Sequence, residues 1–516
     1  MIDTIDTFIG PTKRKVSVGE SVVAMVLNAL GFVSRPLYLT PEFFSNKPVD
    51  RLIGSHLCAD DFTDDCLGRA LDTLYENGVT ELFATVASKA LSTFDIDHRF
   101  LHLDSTTFSF HGEYDTPCDD EHAIEITHGY SRDQRPDLKQ VVVQLICSYQ
   151  SQFPVWFKAL DGNNVDKASF ADTIGAYLAQ LRGSPPPYFV ADSALYTTAN
   201  LTKLSDVRFI TRVPETIKAV KDLYQTLSIE TMQPARLQGY RYHWVDSTFG
   251  NVPQRWLVVY SQAAYHREVA TLEKQIAKAK DVAETSLKQL ANKTFDTAAA
   301  AEAAVAEKSK SWKYHRPCVS IHRVPHYSRP GRPCKTDEPS HFCYRIEGEV
   351  VADPQVIETL KRSKGRFVLA TNELDETLLD AATLLTVYKA QNVSVERGFR
   401  FLKDPLFFAG SLYLEKPQRI MALLMVMALS LLVYALAERW VRTELVRREK
   451  TIPNQVGKPT QTPTLRRIFQ MFEGIDILLI EQNGQIQHTT INVNGVHTQI
   501  INILGREVKK VYFPDP

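Results

Sequence analysis

Apolar positions follow a helical period in the first part of the chain and a period of two in the next. Up to about residue 95, Val22-Val23-Ala24-Met25-Val26-Leu27 predicts one helical core. Leu67, Ala70, Leu71, Leu74 and Tyr75, at spacings of three and four, predict another, with Asp60, Asp61, Asp64 and Asp65 between the two. From Phe100 the alternation is that of strands. Phe100-Leu101-His102-Leu103-Asp104-Ser105-Thr106 reads as a buried strand carrying an acid, and Phe108-Ser109-Phe110-His111 continues it. Gln140 to Cys147 is a strongly apolar central strand, and Phe153-Pro154-Val155-Trp156-Phe157-Lys158 reads as its hairpin partner, closed by Asp161-Gly162-Asn163-Asn164.

A helix is predicted over Phe170 to Leu181, followed by a second apolar strand ending in an acid, Tyr188-Phe189-Val190-Ala191-Asp192, and a third strand at Val207 to Pro214. The pattern is then interrupted. Tyr240 to Tyr260 alternates as strands, Ala263 to Leu290 carries apolar residues at helical spacing, and Thr297 to Lys310 supplies a second helical arm. Gly365 to Asn372 returns to strand character, and helix is expected from Glu376 onward. Ile420 to Ala437 is apolar apart from Ser430 and is read as a fully buried core helix rather than a membrane span. A polar, Pro-rich linker and short alternating segments such as Ile475 to Ile480 close the chain.

This order predicts an α/β protein with a mixed sheet and carboxylates at neighbouring strand ends. Five units are expected: a helical region over residues 1–95, a first part of the core over 96–214, an insertion over 215–364, a second part of the core over 365–450, and a linker with a small segment over 451–516. The net charge of −1 over 516 residues supplies no general attraction to nucleic acid. Contact with DNA would have to come from local basic surfaces such as Arg397, Arg400, Lys403 and the run from Arg439 to Lys450. The seven cysteines are odd in number and never form a Cys-x-x-Cys pair, which fits reduced thiols and a cytoplasmic protein. His315, Cys318, His322, His326, Cys334, His341 and Cys343 cluster, yet their spacings match no common zinc pattern, so an ordinary β segment is expected there.

Tyr388 to Lys403 carries the densest chemistry. Val395, Phe399 and Leu402 recur at helical spacing and leave Glu396, Arg400 and Lys403 on another face. One acid and two bases on one stripe could hold a metal ion and a phosphate side by side, or could simply be a solvated face of spaced ion pairs. Together with Asp104 and Asp192 the acid forms a set of three carboxylates, which repel one another unless cations neutralise them. Hard oxygen ligands of that charge suit Mg²⁺ or Mn²⁺.

Four segments resemble a known family. His102-Leu103-Asp104-Ser105-Thr106-Thr107, Gly129-Tyr130-Ser131-Arg132-Asp133-Gln134-Arg135-Pro136-Asp137-Leu138-Lys139-Gln140, Val190-Ala191-Asp192-Ser193 and the Tyr388…Glu396…Lys403 signature are similar, in that order, to bacterial insertion-sequence DDE transposases of the IS-four type. The resemblance implies a ribonuclease H-like mixed sheet flanked by helices, interrupted by a β-plus-helical-hairpin insertion and preceded by a helical region. It implies Asp104, Asp192 and Glu396 as catalytic residues and ligands of two Mg²⁺ or Mn²⁺ ions. Tyr388, Arg397, Arg400 and Lys403 would contact DNA. The implied activity is cleavage at the terminal repeats of an insertion sequence and transfer of the freed ends into target DNA, by a homodimer associated with the nucleoid of a bacterial or archaeal cell and with no membrane. The chain departs from the family signature where Gln391 replaces an expected Arg and one extra residue precedes Glu396. A nuclease without strand transfer, or a DNA-binding descendant without catalysis, would share most of these residues.

Overall fold

The computed structural model describes the whole chain except residues 33–35, 115–119, 150–151, 182–185, 328–337, 405–413, 483–484 and 514–516. Strands β1 (Phe100–Phe110), β2 (Lys139–Ser148) and β3 (Pro154–Leu160) form an antiparallel meander. β4 (Tyr188–Ala191) runs parallel to β1, and β5 (Phe209–Val213) parallel to β4. The order 3-2-1-4-5 within one mixed sheet is a ribonuclease H-like core. β1 and β2 are buried almost throughout because helices cover both faces of the sheet, which accounts for near-continuous apolar runs in place of strict alternation.

The sheet is wider than that core. β6 (Gln233–Pro234), β7 (Tyr240–Phe249) and β8 (Val252–Ser261) belong to it, whereas β9 (His315–His326) and β10 (His341–Ala352) form a separate hairpin. β11 (Arg366–Thr371) lies between β5 and β8 and is antiparallel to both. The expected strands over Tyr240 to Tyr260 thus extend the main sheet. The remainder of the interruption is an arm of two helices, Gln262–Ala291 and Ala298–Ser309, packed on the β9–β10 hairpin. The arm has its own apolar core of Leu287, Leu290, Val305, Ile346 and Val350. It leaves and rejoins the sheet at one point, where the Ser261 amide donates to the Gly365 carbonyl at 2.8 Å. The His and Cys residues fall on the hairpin, with the His326 and His341 rings stacked 4.5 Å apart across it, while Cys334 lies outside the described residues.

The amino-terminal helices pack on one face of the sheet. Val18–Leu30 starts in a capping box, in which Ser17 Oγ accepts from the Glu20 amide and Glu20 accepts from the Ser17 amide. Asp64–Glu76 is capped by Thr63, and Val79–Thr93 packs on β3. Running through these is Pro417–Arg447, the core helix. It is long and apolar enough to cross a membrane, but its apolar stretch is mostly buried against the chain. From Ile420 to Leu432 it is apolar nearly all round because protein surrounds it on nearly all sides. Ser430 turns its hydroxyl back to the Val426 carbonyl at 3.0 Å. Arg419 at the start of this helix grips Asp72 with two bonds of 2.7 Å, tying the amino-terminal helices to it.

The helical region after β11 breaks in two at Ala390. Leu384, Leu385 and Val387 of Ala381–Lys389 join the core on one face of the sheet with Val190, Ile210 and Leu369. Val395, Phe399 and Leu402 of Gln391–Leu402 join the larger core on the other side with Leu101 and Leu103. The chain therefore changes sides of the sheet within a few residues of Glu396.

Leu424 is almost fully buried in the core helix. Leu424→Ala should lower the unfolding free energy by about 2–5 kcal/mol, read from the urea midpoint at unchanged slope. A loss under about 1 kcal/mol would mean that the helix is not enclosed as described.

Candidate active site

β1 and β4 are parallel neighbours with His102 opposite Val190, so two residues further on in each strand the chain reaches Asp104 and Asp192 at the same level. Asp104 Oδ1 accepts from the Ser105 amide at 2.8 Å and lies 3.7 Å from the Arg132 guanidinium. Asp192, just past β4, accepts from the Ala194 amide at 2.9 Å, and its carbonyl accepts from Thr211 Oγ1 at 2.7 Å. The carboxylates are thus fixed by their own backbone turns. His102 is fully buried, neither ring nitrogen has a hydrogen-bond partner among the described residues, and burial pulls it down to about 3. It is neutral and offers the acids no countercharge.

A third acid stands closer to both than the sequence pattern indicates. Asp166, the first residue of the Asp166–Gln180 helix, accepts from Ser105 Oγ and pairs with Arg132. Arg132 also donates to the Ser105 carbonyl and, at 2.7 Å, to Ser105 Oγ. Asp166 carries little signal in the sequence, since an acid in the first turn of a helix is common for reasons of the helix dipole alone. Arg132 lies within the Gly129 to Gln140 segment, but nothing local shows that it points at Asp104.

One guanidinium therefore serves three carboxylates. Burial raises the Asp104 carboxyl to about 7; the Ser105 amide and Arg132 oppose this, and Asp192 and Asp166 add to it. Asp192 is raised too, by burial first, although its open flank keeps it in contact with water, which screens the surrounding charges. An oxygen-only donor set with surplus negative charge fits a hard divalent cation. Among the described residues, however, no three His, Cys, Asp or Glu side chains gather into a ligand group. The strand register brings Asp104 and Asp192 to one level.

Glu396 is exposed on the Gln391–Leu402 helix, which packs across β1 and β2. Gly398 lets that helix lie close to the core helix, since a Cβ there would stand 3.0 Å from Leu431 Cδ2. The four predicted DNA-contact residues go to different places. Tyr388 is half-buried and stacked on Phe367, and its hydroxyl is pushed up to about 12 by burial, with Asp192 and Asp104 adding to the shift. Arg397 faces Glu438 at 3.3 Å, Arg400 is exposed, and Lys403 donates to Asp133 at 2.6 Å. The segment between β1 and β2 is thus held at two points, with Arg132 among the acids and Asp133 on the Glu396 helix. Its path is tight at Gly129, where a Cβ would come within 2.1 Å of the Gly162 carbonyl oxygen. Arg135 and Asp137 pair with each other at 2.7 Å and form a local turn.

Residues 95–433, which include both aspartates, the Arg132 segment and Glu396, match the family model of the transposase DDE domain. The chain belongs to the DDE transposase family. Residues 1–88 match a second family model, a domain of unknown function (DUF4277). No curated protein sequence matches the chain. Among solved structures it is similar to the cryo-EM structure of a piggyBac transposase synaptic complex with hairpin DNA, at 10% identity over 91% of this chain and 76% of that one. The TM-score of 0.36 marks a likeness too loose to align individual residues.

Removing Arg132 should leave Asp104 and Asp166 without their shared cation. Arg132→Ala is expected to cost on the order of 1–3 kcal/mol, and Asp166→Asn in the same chain should recover part of it. Urea unfolding of the two single variants and the double variant measures the coupling; strictly additive effects would show that the pair is not coupled.

Proposed function

We propose that this member of the DDE transposase family is an active transposase that cuts DNA at the ends of an insertion sequence and joins the freed ends to target DNA, with Asp104, Asp192 and Glu396 as its catalytic residues. The observation that carries this reading is the pairing of Asp104 and Asp192 at one level of adjacent parallel strands, raised and under-neutralised, within a match to a transposase DDE domain. Cleavage would form a bond from water oxygen to phosphorus and break the bond from phosphorus to the 3′ oxygen, leaving a 3′-hydroxyl and a 5′-phosphate. In the joining step that hydroxyl would attack a target phosphodiester and release a target 3′-hydroxyl.

Asp104 and Asp192 would hold Mg²⁺ or Mn²⁺, with Glu396 joining them when DNA is bound, and a pair of such ions would activate the attacking hydroxyl and stabilise the departing alkoxide. The chain's own residues position the reactants. The Ser105 and Ala194 amides hold the two aspartates in fixed rotamers, and Arg132 limits their mutual repulsion. Arg400 and Lys403, on the Glu396 side of the helix, would meet the DNA backbone. A homodimer bringing two ends together completes the proposal, with the Gln262–Ser309 arm as a contact for pairing.

A second reading, a DNA-binding descendant without catalysis, is favoured by one observation: among the described residues no three acids gather into a ligand set. A single assay separates the two. DNA carrying the sequences that flank the gene should be cut and joined to target in Mg²⁺ or Mn²⁺. Asp104→Ala, Asp192→Ala and Glu396→Ala should each bind it and lose at least about a hundredfold in cleavage. Cleavage by the variants at the rate of the unaltered chain would overturn the catalytic assignment, and binding without cleavage by the unaltered chain would favour the second reading.

A further inference from the structure

The Glu396 helix, the second half of the core helix and the short helix Leu465–Phe472 enclose a cavity of about 630 Å³. Five arginines line it, Arg397, Arg400, Arg439, Arg442 and Arg466, against two acids, Glu438 and Asp404, a surplus of three positive charges. The acids are already engaged. Glu438, only 5% exposed, takes Arg442 at 2.6 Å and Arg397 at 3.3 Å, and its other oxygen accepts from the Leu465 amide at 2.9 Å. Asp404 takes Arg466 at 2.6 Å. Arg439 donates to the Asp95 carbonyl at 3.4 Å, and among the described residues neither it nor Arg400 has an acidic partner.

Such a cluster is held together against its own repulsion. Arg442 is pulled below its usual value by burial first and by the charge of Arg397 as well, with Glu438 opposing. The rings of Phe32, Phe401 and Tyr434 pack 4.5–6.4 Å apart in the wall of the cavity. Arg466 lies 5.3 Å over Phe32, held flat by the ring. Planar forked donors with unspent charge, fixed around a space of this size, are suited to tetrahedral oxyanions, which accept two parallel bonds from each fork. Glu438 shared between Arg397 and Arg442 forms a structural triad, and the charge of Arg400 and Arg439 lies outside it.

We propose that this pocket is a clamp for the phosphodiester backbone of DNA, completed by Arg439 and Arg442 of the core helix and by Arg466 of the carboxyl-terminal segment. It rests on the transposase reading above and adds to it a second line of phosphate contact. Arg400 is one turn beyond Glu396, about 6 Å along the helix axis, so a strand whose backbone enters the pocket passes close to Glu396. The carboxyl-terminal segment thereby acquires a role in holding DNA.

The test is binding of a random-sequence DNA duplex to the full chain at several salt concentrations, comparing the unaltered protein, Arg400→Ala, the Arg400→Ala/Arg439→Ala double variant and Lys89→Ala as a distant exposed control. Neither altered arginine carries a described ion pair, so folding should be spared, and a thermal melt checks this. The double variant should bind roughly threefold or more weakly than Arg400→Ala, with a salt dependence shallower by about one further counterion, while Lys89→Ala retains the affinity and slope of the unaltered chain. Equal affinity and slope in the double variant and in Arg400→Ala overturn the clamp while leaving the transposase reading intact. Failure of the unaltered chain to bind or cut any DNA would instead undo that reading. Protection of the unaltered chain against melting by inorganic phosphate, with DNA binding unchanged in the double variant, would assign the pocket to a free anion and overturn the DNA clamp.

Discussion

A strand packed on both faces has no surface on which to put a charge, and β1 nevertheless carries Asp104. The surrounding site answers that constraint. The carboxylate cannot be solvated from within the sheet, so it takes the adjacent amide, borrows part of Arg132 and remains raised to about 7 even so. Arg132 is itself overcommitted, since Asp166 and Ser105 draw on the same guanidinium. The loop from β1 to β2 is held in place by this shortage of positive charge, and through Lys403 and Asp133 the same loop ties the sheet to the Glu396 helix. A cation arriving among these acids would meet ligands whose desolvation cost was met during folding.

The helices after β11 follow from a different requirement, that both faces of the sheet be covered by one short stretch of chain. The break at Ala390 divides the work. One helix belongs to the core that backs Tyr188 and Val190, the other to the core beneath Leu103, and Tyr388 and Glu396 fall on either side of the division. Tyr388 is thereby pressed toward the two aspartates while Glu396 remains at the surface.

Much of this is legible in the residues and some of it is not, for physical reasons. The strands bearing Asp104 and Asp192 are announced by apolar runs ending at or interrupted by an acid, and the stripe of Val395, Phe399 and Leu402 announces its helix, because both are periodicities of a few residues. The apolar run around Ser430 is ambiguous by length alone, and the packing around it decides in favour of a core helix. Pairings across the fold leave no such trace. Arg132 and Asp166 are 34 residues apart and are joined by sheet and helix packing, not by spacing. The membership of β7 and β8 in the main sheet is likewise invisible, since a strand's alternation does not name its neighbour. The carboxyl-terminal segment reads as short strands from Ile475 to Ile480, and β structure is found there; Leu465, Ile468, Phe469 and Phe472 carry a helical spacing that this expectation misses, while Arg506–Tyr512 is too short for its period to stand out.

The hydrogen bond between Ser261 and Gly365 closes the arm at its base. Because the chain departs and returns at adjacent positions, the sheet bears the same two strands whatever lies between them, and the arm has an apolar core of its own. A change in the arm's length alters only the entropy of a loop already shut, a cost that grows slowly with its size. Natural variation can therefore lengthen, trim or reshape this part of the molecule while the strands carrying the aspartates keep their register, which makes the arm a place where related chains can diverge without losing the core they share.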